Sequence, residues 1–202
     1  MKPSRRRRGL LSAIAVLPLI AMAWLGVAPA AADPAPAPAP ADAAPARPAT
    51  SYSADPLPTA QINGVVWDQL VVGDVVYATG QFTQARPAGA AEGQQETPRS
   101  NILAYTLSTG ELIEGFAPVL NGPGRSLALS DDGSTLYVAG GFNQVDGKWH
   151  NNLAAFDLNS GGALIDSFKP VFNTTVSTID VVGNTVYAGG YFKSVNGQPR
   201  LG

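Results

Sequence analysis

From Gln61 onward short apolar stretches alternate with clusters of Asp, Asn, Ser and Gly. No stretch sustains an apolar stripe at helical spacing, so the pattern predicts strands and turns. The clearest set is Ser126–Ser130 (SLALS), Ser134–Ala139 (STLYVA), Asn152–Leu158 (NLAAFDL) and Ala163–Phe168 (ALIDSF). Tight turns at Asp131-Asp132-Gly133 and Asn159–Gly162 separate the first pair and the last pair. A longer loop, Gly141–Asn151, joins the second strand to the third.

The same arrangement recurs on both sides. Tyr77-Ala-Thr-Gly80-Gln-Phe82, Tyr137-Val-Ala-Gly140-Gly-Phe142 and Tyr187-Ala-Gly-Gly190-Tyr-Phe192 all fit Y-x-x-G-x-F. Their tyrosines stand 60 and 50 residues apart, and each has a glycine four residues earlier (Gly73, Gly133, Gly183). Asn101–Leu107 aligns with Asn152–Leu158, and Leu112–Pro118 with Leu164–Pro170. Phe82 lies 19 residues before Asn101, whereas Phe142 lies 10 before Asn152. The difference predicts an insertion at about Arg86–Pro98, in a surface loop. Units of about 66–125, 126–175 and 176–202 follow, the last holding two strands and part of a loop. A period near fifty made of short strands and glycine turns predicts an all-β fold, an incomplete β-propeller of two four-stranded blades and the first half of a third. Open blade faces would need further blades or self-association to cover them.

The first 58 residues read differently. Lys2 and Arg5–Arg8 form a basic start, Leu10–Val27 is apolar apart from Ser12, and Ala28-Pro-Ala30-Ala-Ala32 precedes Asp33. Ala30 and Ala32 fit the −3 and −1 positions of a secretory cleavage site before Asp33, which predicts a signal peptide over 1–32. A retained membrane anchor is the alternative, since 18 apolar residues reach the lower length for a span; Pro18 and the alanine-rich exit favour cleavage. Arg7-Arg8-Gly-Leu-Leu11 also suits twin-arginine export, although any four-arginine run contains such a pair and the general secretory route is preferred. Residues 33–58 alternate Ala and Pro, a disordered or extended spacer with no apolar face to bury. The expected location is extracellular or at the cell surface, with membrane contact only through the signal segment before cleavage.

Composition narrows the chemistry. Beyond residue 32 the chain carries 8 Lys and Arg against 15 Asp and Glu, a poor surface for nucleic acid. Cysteine is absent, which excludes disulfides and thiolate metal sites. His150 is the only histidine. No calcium-loop motif or G-x-S-x-G elbow occurs, and the Gly140-Gly141 and Gly189-Gly190 pairs lack the following helix of a phosphate loop. Glycine pairs within strands instead mark a bulge or close backbone approach. No catalytic, cofactor-binding or metal residues are assigned, and no cofactor is expected.

The stretch Tyr137-Val-Ala-Gly140-Gly-Phe142-Asn-Gln-Val145-Asp-Gly147, followed by Asn152-Leu-Ala-Ala-Phe-Asp157, resembles the delta-60-type propeller repeats of bacterial cell-surface proteins. The fragment G-x-F-x-x-V-[ND]-G-x-x-R-x-x-L-A recurs there, and Phe192-Lys-Ser-Val195-Asn-Gly197-Gln-Pro-Arg200 matches it. Unit one departs from it at Ala85 and the insertion. Ser130–Val138 also resembles surface-layer YVTN-type blades. The resemblance implies a secreted propeller with no agreed activity. An alternative class comes from LAAFDLNSGGALIDSF, which is similar to the PQQ repeat of quinoprotein dehydrogenases. Phe116 and Phe168 replace the docking tryptophan of that repeat, and Thr106 replaces its aspartate in unit one.

Antiparallel strands put alternate connections at opposite ends of a sheet. The connections after second and fourth strands should therefore share one face, carrying the candidate ligand residues Asn143, Lys148, Trp149, His150 and Arg200. A non-catalytic binding or scaffold module is expected, engaging a wall glycan or a surface protein. A purely structural wall scaffold is the third class.

Overall fold

A computed structural model of the chain describes residues 56–200, within the compact body Tyr52–Gly202. The expected signal segment, its cleavage site at Ala30, Ala32 and Asp33, and the spacer up to residue 55 lie outside the described residues. The body is all-β: several small antiparallel sheets, none of them closed. In unit one, β1 (Gln61–Ile62), β2 (Val65–Val72), β3 (Val75–Gln81), β4 (Gln84–Arg86), β5 (Thr97–Pro98) and β6 (Ile102–Thr106) make two sheets, β2-β3-β6 and β1-β4-β5. Unit two holds β7 (Gly124–Leu129), β8 (Thr135–Gly140), β9 (Gln144–Val145), β10 (Lys148–Trp149), β11 (Leu153–Asp157) and β12 (Ala163–Leu164), with a four-stranded sheet in the order β12-β11-β8-β7. Unit three contributes two hairpins, β13 (Val176–Val182) with β14 (Thr185–Gly190), and β15 (Ser194–Val195) with β16 (Gln198–Pro199).

Fourth strands are shorter than expected. β12 stops at Leu164 because Phe168 N–H bonds back to Ile165 O at 3.0 Å and turns the chain out of the sheet. In unit one only the Tyr105–Leu112 bridge stands in that place. The insertion is the loop between β4 and β5, which are paired much as β9 and β10 are. Its carboxylate Glu96 takes the Gly93 N–H at 3.0 Å.

β2, β7 and β13 run beside one another, β2 against β7 and β7 against β13. Each carries a register shift near its start, between Val66 and Asp68, Gly124 and Ser126, and Val176 and Thr178. Such bulges add twist, and here they aim a side chain at the neighbouring unit. Asp68 Oδ2 accepts the Leu127 N–H at 2.7 Å, and Ser126 Oγ accepts the Ile179 N–H at 3.2 Å.

Of three buried clusters, one lies within unit one (Val76, Ala78, Phe82, Leu103 and Tyr105 among others) and two span neighbouring units. One of these two joins Ile102, Phe116 and Leu120 of unit one to Leu136, Phe142 and Phe156 of unit two. A second joins Leu153 and Phe172 of unit two to Val176, Ile179 and Phe192 of unit three. Phe116 stacks edge-on against Tyr77 at 5.1 Å and Phe156 at 5.6 Å, so a residue leaving one sheet is wedged against the next. The glycine at the fourth position of Y-x-x-G-x-F has a packing reason too. A Cβ on Gly80, Gly140 or Gly190 would collide with the backbone of the first strand or its leading residue, at Val65, Pro123 and Thr175 respectively. Close approach of two backbones, and no phosphate, explains the glycine.

Candidate functional site

The V-[ND]-G element makes a rigid projecting hairpin. Asp146 (φ 49°) and Gly147 (φ 76°) both take left-handed conformations, as do Asn196 (φ 50°) and Gly197 (φ 73°). That is the two-residue hairpin turn that Asp-Gly and Asn-Gly favour. Val145 is buried and bridges Leu120. Asp146 Oδ1 accepts the Val119 N–H at 2.8 Å, and Asn196 Oδ1 accepts the Val171 N–H at 2.8 Å. The flanking loop is fixed by an asparagine: Asn121 Oδ1 accepts the N–H of Asn143 at 3.0 Å and of Gln144 at 2.9 Å. Asn63 does the same for Thr83 and Gln84, and Asn173 for Lys193 and Ser194. These bonds bring the loops before the first strands and after the second strands to one face. At the other end Asp131 Oδ2 accepts the Gly183 N–H and Asp74 binds Ser108.

Pinned from both sides, β10 presents Trp149 to solvent with 62% of its surface exposed. Lys148 beside it and Asn143 on the loop are exposed as well. His150 points the other way and is fully buried at 0% exposure. Its Nε2 lies 3.2 Å from Asp166 Oδ1. Asp166 is a hub, with Lys169 Nζ at 2.9 Å and Lys148 Nζ at 3.9 Å. The Lys169 ammonium first, then the His150 bond and the charges of both lysines, hold the Asp166 carboxyl below its usual range. His150 Nδ1 is buried without a protein partner. An enclosed imidazole cannot stack on a ligand, so of the adjacent pair Trp149 alone is presented outward.

Sequence reasoning missed what the R position of the fragment does. Arg99, His150 and Arg200 occupy it in units one, two and three. Arg99 is buried at 4% and bonds Glu114 Oε2 at 2.9 Å through Nη2, the counterpart of His150 with Asp166. Both acids come from the L-I-[ED] stretch that the unit alignment had already matched, which was the available signal. Arg200 is exposed, with Nη1 donating to Pro199 O at 2.7 Å. Also missed were the exposed apolar residues Val119, Val171 and Tyr191 near the same hairpins.

Two open clefts flank these elements. One of about 580 Å³ lies on the hairpin face between units one and two, lined by Asn63, Gln81, Thr83, Asn121 and Pro123 among others. The other, about 470 Å³, lies at the short turns around Ser130, Asp131, Asp132 and Asn184. Its carboxylates are already engaged. Asp132 Oδ1 takes the Ser130 hydroxyl and, at 3.0 Å, the Ser134 N–H, and these bonds lower its pKa from 3.8 to about 2. Among the described residues no group of three or more His, Cys, Asp or Glu is placed to hold a metal ion.

The Asp132 bonds make an acid-range prediction. A carboxyl depressed on folding adds stability above its unfolded pKa and loses it as pH falls through the folded one. The contribution of Asp132 should be complete above pH 3.8 and vanish as pH falls towards about 2. Thermal melts should show Asp132→Asn losing less stability than wild type over that window. Parallel acid limbs for the two proteins would contradict the assignment.

No protein-family model matches this chain, and no curated protein matches it.

Proposed function

We propose that the chain is a non-catalytic binding module of the β-propeller type, working at the cell exterior and holding a wall glycan or a surface protein on its hairpin face. The side-by-side first strands, the cores between units and the resemblance to delta-60-type surface repeats support the propeller reading. The N-terminal pattern supports export. The exposed indole on an immobilised hairpin carries the binding reading. A rigid aromatic with one N–H donor offers a large stacking surface at little entropic cost, and loops on a rigid scaffold are a common place for recognition. Lys148 precedes it in β10, Arg200 is exposed on the equivalent hairpin of unit three, and the acidic remainder of the surface disfavours nucleic acid.

Purified protein should be retained by isolated cell walls or by a defined set on a glycan array, and soluble ligand should compete it off. Failure to bind any wall fraction, glycan or surface protein would leave only a scaffold role. A gain of dye-linked dehydrogenase activity on adding PQQ would instead favour the quinoprotein class.

A further inference from the structure

We infer that Trp67 and Arg125 form a binding site of their own, one that takes the carboxylate of an acidic sugar. Its position follows from the bulges. In β2, β7 and β13 the register skips one residue, and the skipped residues are Trp67, Arg125 and Ser177. A bulged residue is left out of the ladder and its side chain is re-aimed. Because the three strands run beside one another, the three positions form a row across units one, two and three.

Within that row Arg125 Cζ lies 4.8 Å from the centre of the Trp67 ring, so the guanidinium rests against the indole face. Both residues are exposed, Trp67 at 41%. Stacking fixes the plane of a guanidinium and leaves the N–H donors at its edge unspent. Nothing nearby takes them up. Asp68, next to Trp67, already accepts the Gln69 N–H on Oδ1 at 2.9 Å and the Leu127 N–H on Oδ2 at 2.7 Å. Ser177, the third member of the row, makes no bond to Arg125, and its buried hydroxyl is itself without a partner. The other arginines of the body are engaged: Arg86 with Ala90 O, Arg99 with Glu114, Arg200 with Pro199 O. Among the described residues Arg125 is the arginine whose guanidinium has neither an acidic partner nor a hydrogen-bond acceptor.

A cation held in one plane selects a planar anion. A carboxylate takes two parallel N–H···O bonds from the guanidinium edge and lies in the same plane. A phosphate or sulfate would turn an oxygen out of that plane, towards the negative face of the indole. The acidic body repels a run of negative charges, so an isolated carboxylate suits the single cation best. The sugar follows from the cleft of about 580 Å³ between units one and two. Val65 and Pro123 line it, two residues before Trp67 and Arg125, a step of roughly 7 Å along a strand. Every residue lining that cleft is uncharged, Asn63, Gln81 and Thr83 among them, which fits hydroxyl groups and no second charge. That the sugar belongs to a wall glycan rests on the proposed wall-binding role; the carboxylate site does not.

Isothermal titration of the full chain with an oligosaccharide carrying one uronic acid, and with its neutral carboxyl-reduced form, tests the site. The acidic form should bind at least about tenfold more tightly, the lower end for charge-assisted hydrogen bonds. The difference should shrink as sodium chloride is raised, because an exposed ion pair is screened. Arg125→Gln should erase the preference with an unchanged melting transition, and Arg125→Lys, which keeps the charge without the fork, should recover little of it. Trp67→Leu should weaken the preference by releasing the guanidinium, and its loss should not add to that of Arg125→Gln. Equal binding of the acidic and reduced forms, or full preference in Arg125→Gln, would overturn the inference. So would phosphate and sulfate competing as well as acetate at matched ionic strength. Wall retention through Trp149 with no acidic preference would overturn it and spare the hairpin reading. An acidic preference in a protein that no wall fraction retains would support the site and remove the wall reading.

Discussion

Phe156→Ala should lower the stability of the whole body by about 3–5 kcal/mol, the usual cost of deleting a buried phenylalanine ring. The ring is fully buried, stacks edge-on against Phe116 of unit one and lies across from Leu136 and Leu164 in its own sheet. Deletion leaves a void bounded by two units, and neither can collapse into it without moving the other. Domains are stable by only about 5–15 kcal/mol, so the melting midpoint should fall by on the order of 10 °C. The loss should be felt on both sides of the junction. Amide exchange in β3 of unit one should accelerate together with exchange in β8 and β11. A loss under about 1 kcal/mol, or one confined to unit two, would show that Phe156 does not couple the two units.

Gly140→Val should be comparably severe for a different reason. Its Cβ would strike the Pro123 carbonyl oxygen and come within 2.8 Å of the Gly124 Cα, both backbone atoms of the adjacent segment. Side-chain ends can rotate away from an added group; a paired backbone cannot, and overpacking already costs about 1–3 kcal/mol where movement is possible. A loss of roughly 3 kcal/mol or more is expected from urea midpoints. Gly147→Ala supplies the contrast. Gly147 has φ 76° and open space around its Cβ position, so only the left-handed conformation is penalised, by about 1–2 kcal/mol. Equal effects at the two sites would sink the close-approach explanation.

The strands and turns of unit two were legible because alternation, Asp-Asp-Gly and Asn-Ser-Gly-Gly are local signals, and β8 and β11 fall within about one residue of the expected bounds. β7 starts two residues earlier than expected, since Gly124 pairs with Gly140 across a bulge that no local pattern announces. The fourth strands were overdrawn: Ile165 and Phe168 look like strand residues, yet Phe168 leaves the sheet to cover Tyr137. At the candidate site the turn chemistry of Asp146-Gly147 and the projection of Trp149 were readable. The burial of His150 was not, because it depends on Asp166, 16 residues away on a different element. Exposure of Tyr191 likewise follows from what packs beside unit three, which period and composition do not encode.

The most direct measurement is a pair of curves for wild type and Trp149→Ala, a binding isotherm to purified wall glycan or the captured surface protein and a thermal melt. Burying a hot-spot tryptophan is typically worth 2 kcal/mol or more, so the substitution should weaken binding by about 30-fold while moving the melting transition by less than roughly 2 °C. Unchanged affinity with a collapsed melting transition would instead make Trp149 a packing residue and contradict the hairpin face as the site of recognition.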